Sequence, residues 1–194
     1  VGNRVAWTIP FLDDPLPVVG AKLSSVLGVG LSVVRLLSRE RVVELAEEYA
    51  GKGFLCSEAV LMAIGRCLGV RSGTIPKIAT GFGAGVGRKG EVCGALSGAV
   101  MGLGLRFGRS RVEEQEGGRR PYWFTSELVE RFRVRLGHVR CGDLLELDLS
   151  DSKGLQAYRE AGMWEKRCRG IISEATGLAY DLLKKHNEER AGKV

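Results

Sequence analysis

Residues 81–105 read GFGAGVGRKGEVCGALSGAVMGLGL, and no other stretch limits the fold so strongly. Gly81, Gly83, Gly85, Gly87 and Gly90 fall within ten residues. Each glycine adds backbone entropy that a helix or strand must freeze, so this half is predicted to be a loop. The character changes at Cys93, from which small and apolar residues run without a charge to Leu105. Gly94, Gly98 and Gly102 recur every four residues and share one face of a predicted helix. That bare face lets another backbone, or a bulky group, approach closely. Cys93 stands at the helix start, where unpaired N–H groups carry partial positive charge. A sulfur there is expected to be favoured as thiolate, the form that reacts and binds metal.

Three further cysteines sit in comparable places. Cys56 opens a helix with Val60, Leu61, Ile64 and Leu68 as core positions. Cys141 precedes Gly142-Asp143-Leu144-Leu145, with the acid in the first turn, where negative charge is welcome. Cys168 comes early in the last helix, predicted from about Trp164 to His186. With no strand–helix alternation and no hairpin signal, the fold class is all-α: a multi-helix bundle with a glycine-rich loop and cysteines near helix N-termini. Four helix starts can converge at one end of such a bundle. Four thiolates there would suit an iron–sulfur cluster, a tetrahedral zinc site, or dithiol–disulfide chemistry. No Cys-x-x-Cys pair occurs, which removes zinc ribbons and ferredoxin loops as templates and leaves the three open. Cys67, eleven residues after Cys56, reads as a small buried hydrophobe.

The rest of the chain is organised around this region. Residues 1–17 carry Pro10, Pro15 and Pro17 and read as an extended arm. Residues 18–37 are apolar, but Lys22, Ser24, Ser25 and Arg35, with Gly28 and Gly30, argue for a partly buried soluble helix over a membrane span. Residues 1–37 therefore form an N-terminal extension, and residues 38–194 the four-cysteine helical domain, which starts with Ser38 as a helix cap. Residues 106–121, RFGRSRVEEQEGGRRP, are expected to be a mobile loop before a helix with Leu128, Phe132 and Leu136 at a spacing of four. His138 reads as an exposed loop residue and His186 as surface. Gly85-x-Gly87-x-x-Gly90 matches a dinucleotide fingerprint by letter but lacks the strand that must precede it.

Composition closes off several functions. Twenty-nine basic against twenty-three acidic residues leave a net charge of +6, scattered along the chain. A nucleic-acid reader concentrates charge on one element with aromatics beside it, so that partner is not expected. Five cysteines, an odd number, speak against a disulfide-stapled secreted domain. With Asp and Pro where the apolar run of a leader peptide would be, a reducing cytoplasm is the expected compartment.

Three blocks carry a resemblance: Phe54-Leu55-Cys56-Ser57-Glu58-Ala59-Val60-Leu61, Ala79-Thr80-Gly81-Phe82-Gly83-Ala84-Gly85-Val86-Gly87-Arg88, and Val92-Cys93-Gly94-Ala95-Leu96-Ser97-Gly98-Ala99-Val100-Met101. Together they resemble the C_GCAxxG_C_C family of redox-active proteins, named for four cysteines and a CGAxxG motif, here Cys93 to Gly98. Cys56 matches the first family cysteine, and Cys141 and Cys168 match the last two by order and rough spacing; Cys67 lies outside the pattern. A related region of split-Soret cytochromes c carries an iron–sulfur centre, although their haem-attachment motif is missing here. The resemblance implies a redox protein holding an iron–sulfur cluster, [2Fe–2S] for preference, through Cys56, Cys93, Cys141 and Cys168 for electron transfer. Gly83, Gly85, Gly87 and Gly94 would then pack closely over the cofactor. Arg88 and Lys89 would offset its charge or receive an acidic redox partner, and a homodimer is a further option. The alternatives are a thiol–disulfide oxidoreductase with Cys56 and Cys93 as the catalytic pair, or a structural zinc protein.

Overall fold

The computed structural model describes residues 36–109, 111 and 115–191. The fold is all-α. Among the described residues, eight α-helices run in the order α1 (Arg39–Gly51), α2 (Cys56–Cys67), α3 (Thr74–Ala79), α4 (Gly94–Phe107), α5 (Gln115–Leu136), α6 (Cys141–Leu145), α7 (Ser152–Glu160) and α8 (Arg169–Ala191). Among the described residues the only extended pairing is a single antiparallel bridge, Val92 to Arg140. No described helix is long and apolar enough to cross a membrane.

Helix α2 is the hub. It is apolar on every side, and all residues from Ser57 to Cys67 are buried. A helix hydrophobic all round needs neighbours all round, and α1, α3, α4 and α8 supply them. The glycine face of α4 lies directly on α2, as its spacing predicts. A Cβ on Gly98 would overlap the Ser57 carbonyl, and one on Gly102 would come within 2.7 Å of Ile64 Cγ2. Ser38 caps α1 by accepting the Arg41 N–H at 3.2 Å. The core continues through Val42, Leu45 and Tyr49 of α1, Leu128 and Phe132 of α5, and Ile172 and Leu182 of α8.

The glycine-rich stretch is a tight left-handed turn. A 3-10 turn at Thr80–Phe82 leads in, and Ala84, Gly85, Val86, Gly87 and Arg88 then all have φ between 53° and 71°. Left-handed backbone costs an L-residue about 1–2 kcal/mol, and a β-branched side chain is the least suited to it. Val86, at φ 57° and largely exposed, has little packing to repay that cost. Val86→Gly is therefore expected to raise the urea midpoint, by about 1 kcal/mol of stability, despite the entropy that glycine adds to the unfolded chain. A drop in the midpoint would show that the valine side chain contributes more than its backbone costs.

Two expectations are corrected here. Helix α5 begins at Gln115 and runs through Pro121, so much of the stretch expected to be a loop is helical. Proline deletes one backbone hydrogen bond, and the helix continues on both sides of it. The remainder of that expected loop falls partly on residues 110 and 112–114, which lie outside the described residues. His186 is not at the surface. It is buried edge-on against Phe107 and Phe124, with ring centroids 4.9 and 5.5 Å away. The charged sequence around it hides the fact that its own helical face points inward. Of the expected N-terminal extension, residues 1–35 lie outside the described residues; Leu36 and Leu37 pack on the core, and the Tyr180 hydroxyl donates to the Leu37 carbonyl at 2.8 Å.

Candidate four-cysteine site

Each cysteine is placed by a different local device. Cys56 is the first residue of α2, and its approach is locked by Glu58. One oxygen of that buried carboxylate accepts the Leu55 N–H at 2.8 Å, satisfying a free donor of the helix end. The other accepts the Thr80 hydroxyl at 2.5 Å and so fastens the start of the glycine turn to α2. The Ser57 hydroxyl donates to the Ala79 carbonyl at 2.8 Å, a second tie between the same segments.

Cys93 and Cys141 are brought together by backbone. The Cys93 N–H donates to the Val139 carbonyl at 2.9 Å, the Cys141 N–H to Glu91 at 2.7 Å and the Gly142 N–H to Gly90 at 2.9 Å. The chain thus turns in at the N-cap of α4 and the start of α6 side by side. Cys168 differs from the other three. It ends a π-helical turn, Trp164–Cys168, that runs directly into α8, so it has no open helix N-terminus of its own. Such turns insert an extra residue into a helix and recur at functional sites. Arg167 of this turn donates to the Leu144 carbonyl at 3.1 Å, tying it to the end of α6.

Cys56, Cys93, Cys141 and Cys168 line one cavity of about 280 Å³. Its walls are apolar, chiefly Leu55, Leu144, Leu145, Leu149, Leu155 and Ile171. Tyr158, Trp164, Arg88 and Arg159 complete it. Cys67 is elsewhere: it is buried in the main core at the far end of α2, about 16 Å along the helix axis from Cys56 by helical rise. His138 is exposed and, with Lys89, borders a separate polar groove. Of the two cations expected at the site, only Arg88 reaches the cysteine cavity.

The glycines are placed unequally. A Cβ on Gly94 would overlap Cys56 Sγ and stand 2.9 Å from the Phe82 carbonyl. One on Gly85 would lie 2.8 Å from Cys141 Cβ, and one on Gly83 2.8 Å from Leu55 Cδ1. These three positions therefore press backbone against the groups that form the site. Gly87 has open space around it.

The electrostatics differ from the simple helix-end picture. Donors do point at the sulfurs: the N–H groups of Ala84 and Ser57 reach Cys56, and those of Leu96 and Ala95 reach Cys93. Burial nevertheless wins. It pushes the Cys56 thiol up. Burial and then neighbouring Cys56 push Cys93 up to about 12. Cys141 is driven well above the ordinary thiol range by burial and then by Cys93, Cys56 and Cys168. Burial raises Cys168 to about 11, against the pull of the Tyr158 hydroxyl. Unliganded, all four are neutral thiols at physiological pH, contrary to the thiolate expected from helix position alone. Desolvation of an anion in an apolar cavity outweighs the few partial charges at the helix starts.

Sequence reading missed Glu58 and Tyr158. The first had a signal, since a glutamate two residues after Cys56 falls at the third helical position, where it can reach back to the helix-entry N–H. Tyr158 had none beyond a short amphipathic segment, because its contact with Cys168 depends on how α7 folds back.

No curated protein and no solved structure matches the chain. The C_GCAxxG_C_C family, described as redox-active, matches residues 54–182, a span that contains all four cavity cysteines and ends within α8. With more than half of its length matched, this chain belongs to the C_GCAxxG_C_C family of redox-active proteins.

Proposed function

We propose that the protein is a redox carrier whose four-cysteine cavity holds an iron–sulfur cluster, [2Fe–2S] for preference, ligated by Cys56, Cys93, Cys141 and Cys168. The observation that carries this reading is that four cysteines from four separate elements line a single apolar cavity. The donor set fits the group: four sulfur ligands are what such a cluster takes, and backbone N–H donors to the sulfurs are what tunes it. The cluster would supply one-electron chemistry, and its positive iron would hold as thiolates the sulfurs that burial otherwise keeps protonated. Among the described residues, no three of His, Cys, Asp or Glu are grouped tightly enough to hold one ion. Sulfurs bordering a cavity suit a group with its own bridging sulfides better than a lone zinc, which needs every ligand about 2.3 Å from one point. Arg88 and Arg159 bring positive charge to the cavity, as an anionic centre or an acidic electron-transfer partner requires.

A thiol–disulfide role for Cys56 and Cys93 has the N–H donors at each sulfur in its favour. Against it, burial pushes both thiols above the ordinary range, which leaves little thiolate at pH 7 to attack.

Ligand substitution separates these readings. Cys141→Ser and Cys168→Ser are each expected to lose most of the bound iron of anaerobically prepared protein. Cys67→Val should keep its iron in full and cost about 1 kcal/mol or less, as a near-isosteric core change. Iron retained in Cys141→Ser and Cys168→Ser, or lost in Cys67→Val, would overturn the ligand set.

A further inference from the structure

The sulfur of Cys168 lacks what those of Cys56 and Cys93 have. Cys56 and Cys93 receive backbone N–H donors, but Cys168 ends a π-helical turn whose following N–H groups are engaged in the continuing helix. In their place stands Tyr158, with its hydroxyl oxygen 3.5 Å from Cys168 Sγ. Tyr158 lies on α7, whose residues Leu155, Tyr158 and Arg159 all line the cavity. A spacing of three and four puts these on one face. No residue of α7 is fully buried, so that cavity-facing stripe is the inward surface the helix has. Among the described residues, the Tyr158–Cys168 contact is the hydrogen bond that joins α7 to another element.

We infer that Tyr158 is a positioning residue that donates its O–H to Cys168 Sγ, holding α7 over the cavity and raising the reduction potential of the centre bound there. The donor direction follows from chemistry. A metal-bound thiolate has no proton to give, so the phenol must donate. A phenol keeps its proton at neutral pH and so has one to give. One-electron reduction adds negative charge to the sulfurs, and a hydrogen bond to one of them stabilises the reduced state more than the oxidised. The inference about potential rests on the iron–sulfur reading above; the bond itself does not.

The test compares wild type, Tyr158→Phe and Gln156→Ala, the last an exposed residue of the same helix that bonds Glu160. The readouts are iron content and midpoint potential of anaerobic protein, and hydrogen exchange of residues 152–160 in metal-free protein. Tyr158→Phe is expected to keep its iron, to shift the midpoint to lower potential, and to exchange several-fold faster across α7. Gln156→Ala should match wild type in all three. A Tyr158→Phe midpoint equal to wild type, with full iron content, would overturn the tuning role and leave Tyr158 as wall. Unchanged α7 exchange would overturn the bond. If wild type itself assembles no iron–sulfur centre, the functional reading and the tuning role fail together, and the exchange of metal-free Tyr158→Phe still decides whether the hydroxyl holds α7.

Discussion

Gly94→Ala is expected to strip the protein of most of its iron while leaving its helical circular dichroism nearly intact. A single methyl group at this position overlaps Cys56 Sγ and stands 2.9 Å from the Phe82 carbonyl. Neither can yield cheaply. Cys56 is held by the Glu58 lock at the start of α2, and Phe82 belongs to the turn tied to that same carboxylate through Thr80. On an exposed helix, Gly→Ala would stabilise by roughly 1 kcal/mol; here overpacking should destabilise by about 1–3 kcal/mol. Gly102→Ala is the comparison. Its methyl meets the Ile64 side chain two turns further along, away from the cavity. It should show a similar stability loss with iron retained. Full iron loading in Gly94→Ala would make Gly94 a packing glycine only. Gly98 is not a clean control, because its Cβ would strike the carbonyl of Ser57, the residue next to Cys56.

The second large effect is a reversal in how stability depends on pH. In metal-free protein the folded-state thiols are raised, Cys93 to about 12 and Cys67 and Cys168 to about 11. An unfolded thiol ionises near 8.5. Below that pH both states keep their protons and the contribution is constant. Above it the unfolded chain releases protons that the folded chain still holds, so stability falls as pH rises from about 9 towards 12. Each buried thiol contributes a slope of about 1.4 kcal/mol per pH unit at most. With metal bound the sign inverts: the folded sulfurs are thiolates and the unfolded chain must take up protons, so stability rises with pH up to about 9. Up to about pH 9 the urea midpoint of the metal-bound form should therefore climb while that of the metal-free form stays level, and above about 9 the metal-free form alone should lose stability through the cavity thiols. Parallel curves would mean that the cavity cysteines are not the metal ligands.

How much of this was legible in the sequence follows from which interactions are local. The helices of the core were legible because their apolar spacing is local, as with Leu128 and Phe132, or Val60, Leu61 and Ile64. The glycine stripe of α4 was legible because close helix approach demands missing side chains at fixed intervals. Convergence of the four cysteines on one cavity could be expected from their places at the starts of predicted segments. Their protonation could not, because desolvation depends on leucine walls that come from the entry to α2 and from the α6–α7 region. The left-handed run was invisible beyond its glycines, since Ala84, Val86 and Arg88 adopt positive φ against their own preference. Tyr158 was missed because it meets Cys168 across a chain reversal, and His186 because a charged neighbourhood masked a buried face.

The proposed four-cysteine cluster is tested most directly by iron and acid-labile sulfide per chain in anaerobically purified protein, with electron paramagnetic resonance of the dithionite-reduced sample. About two irons and two sulfides per chain are expected, with a paramagnetic signal that appears on reduction. Stoichiometric zinc without sulfide, or metal-free protein carrying a Cys56–Cys93 disulfide, would contradict it.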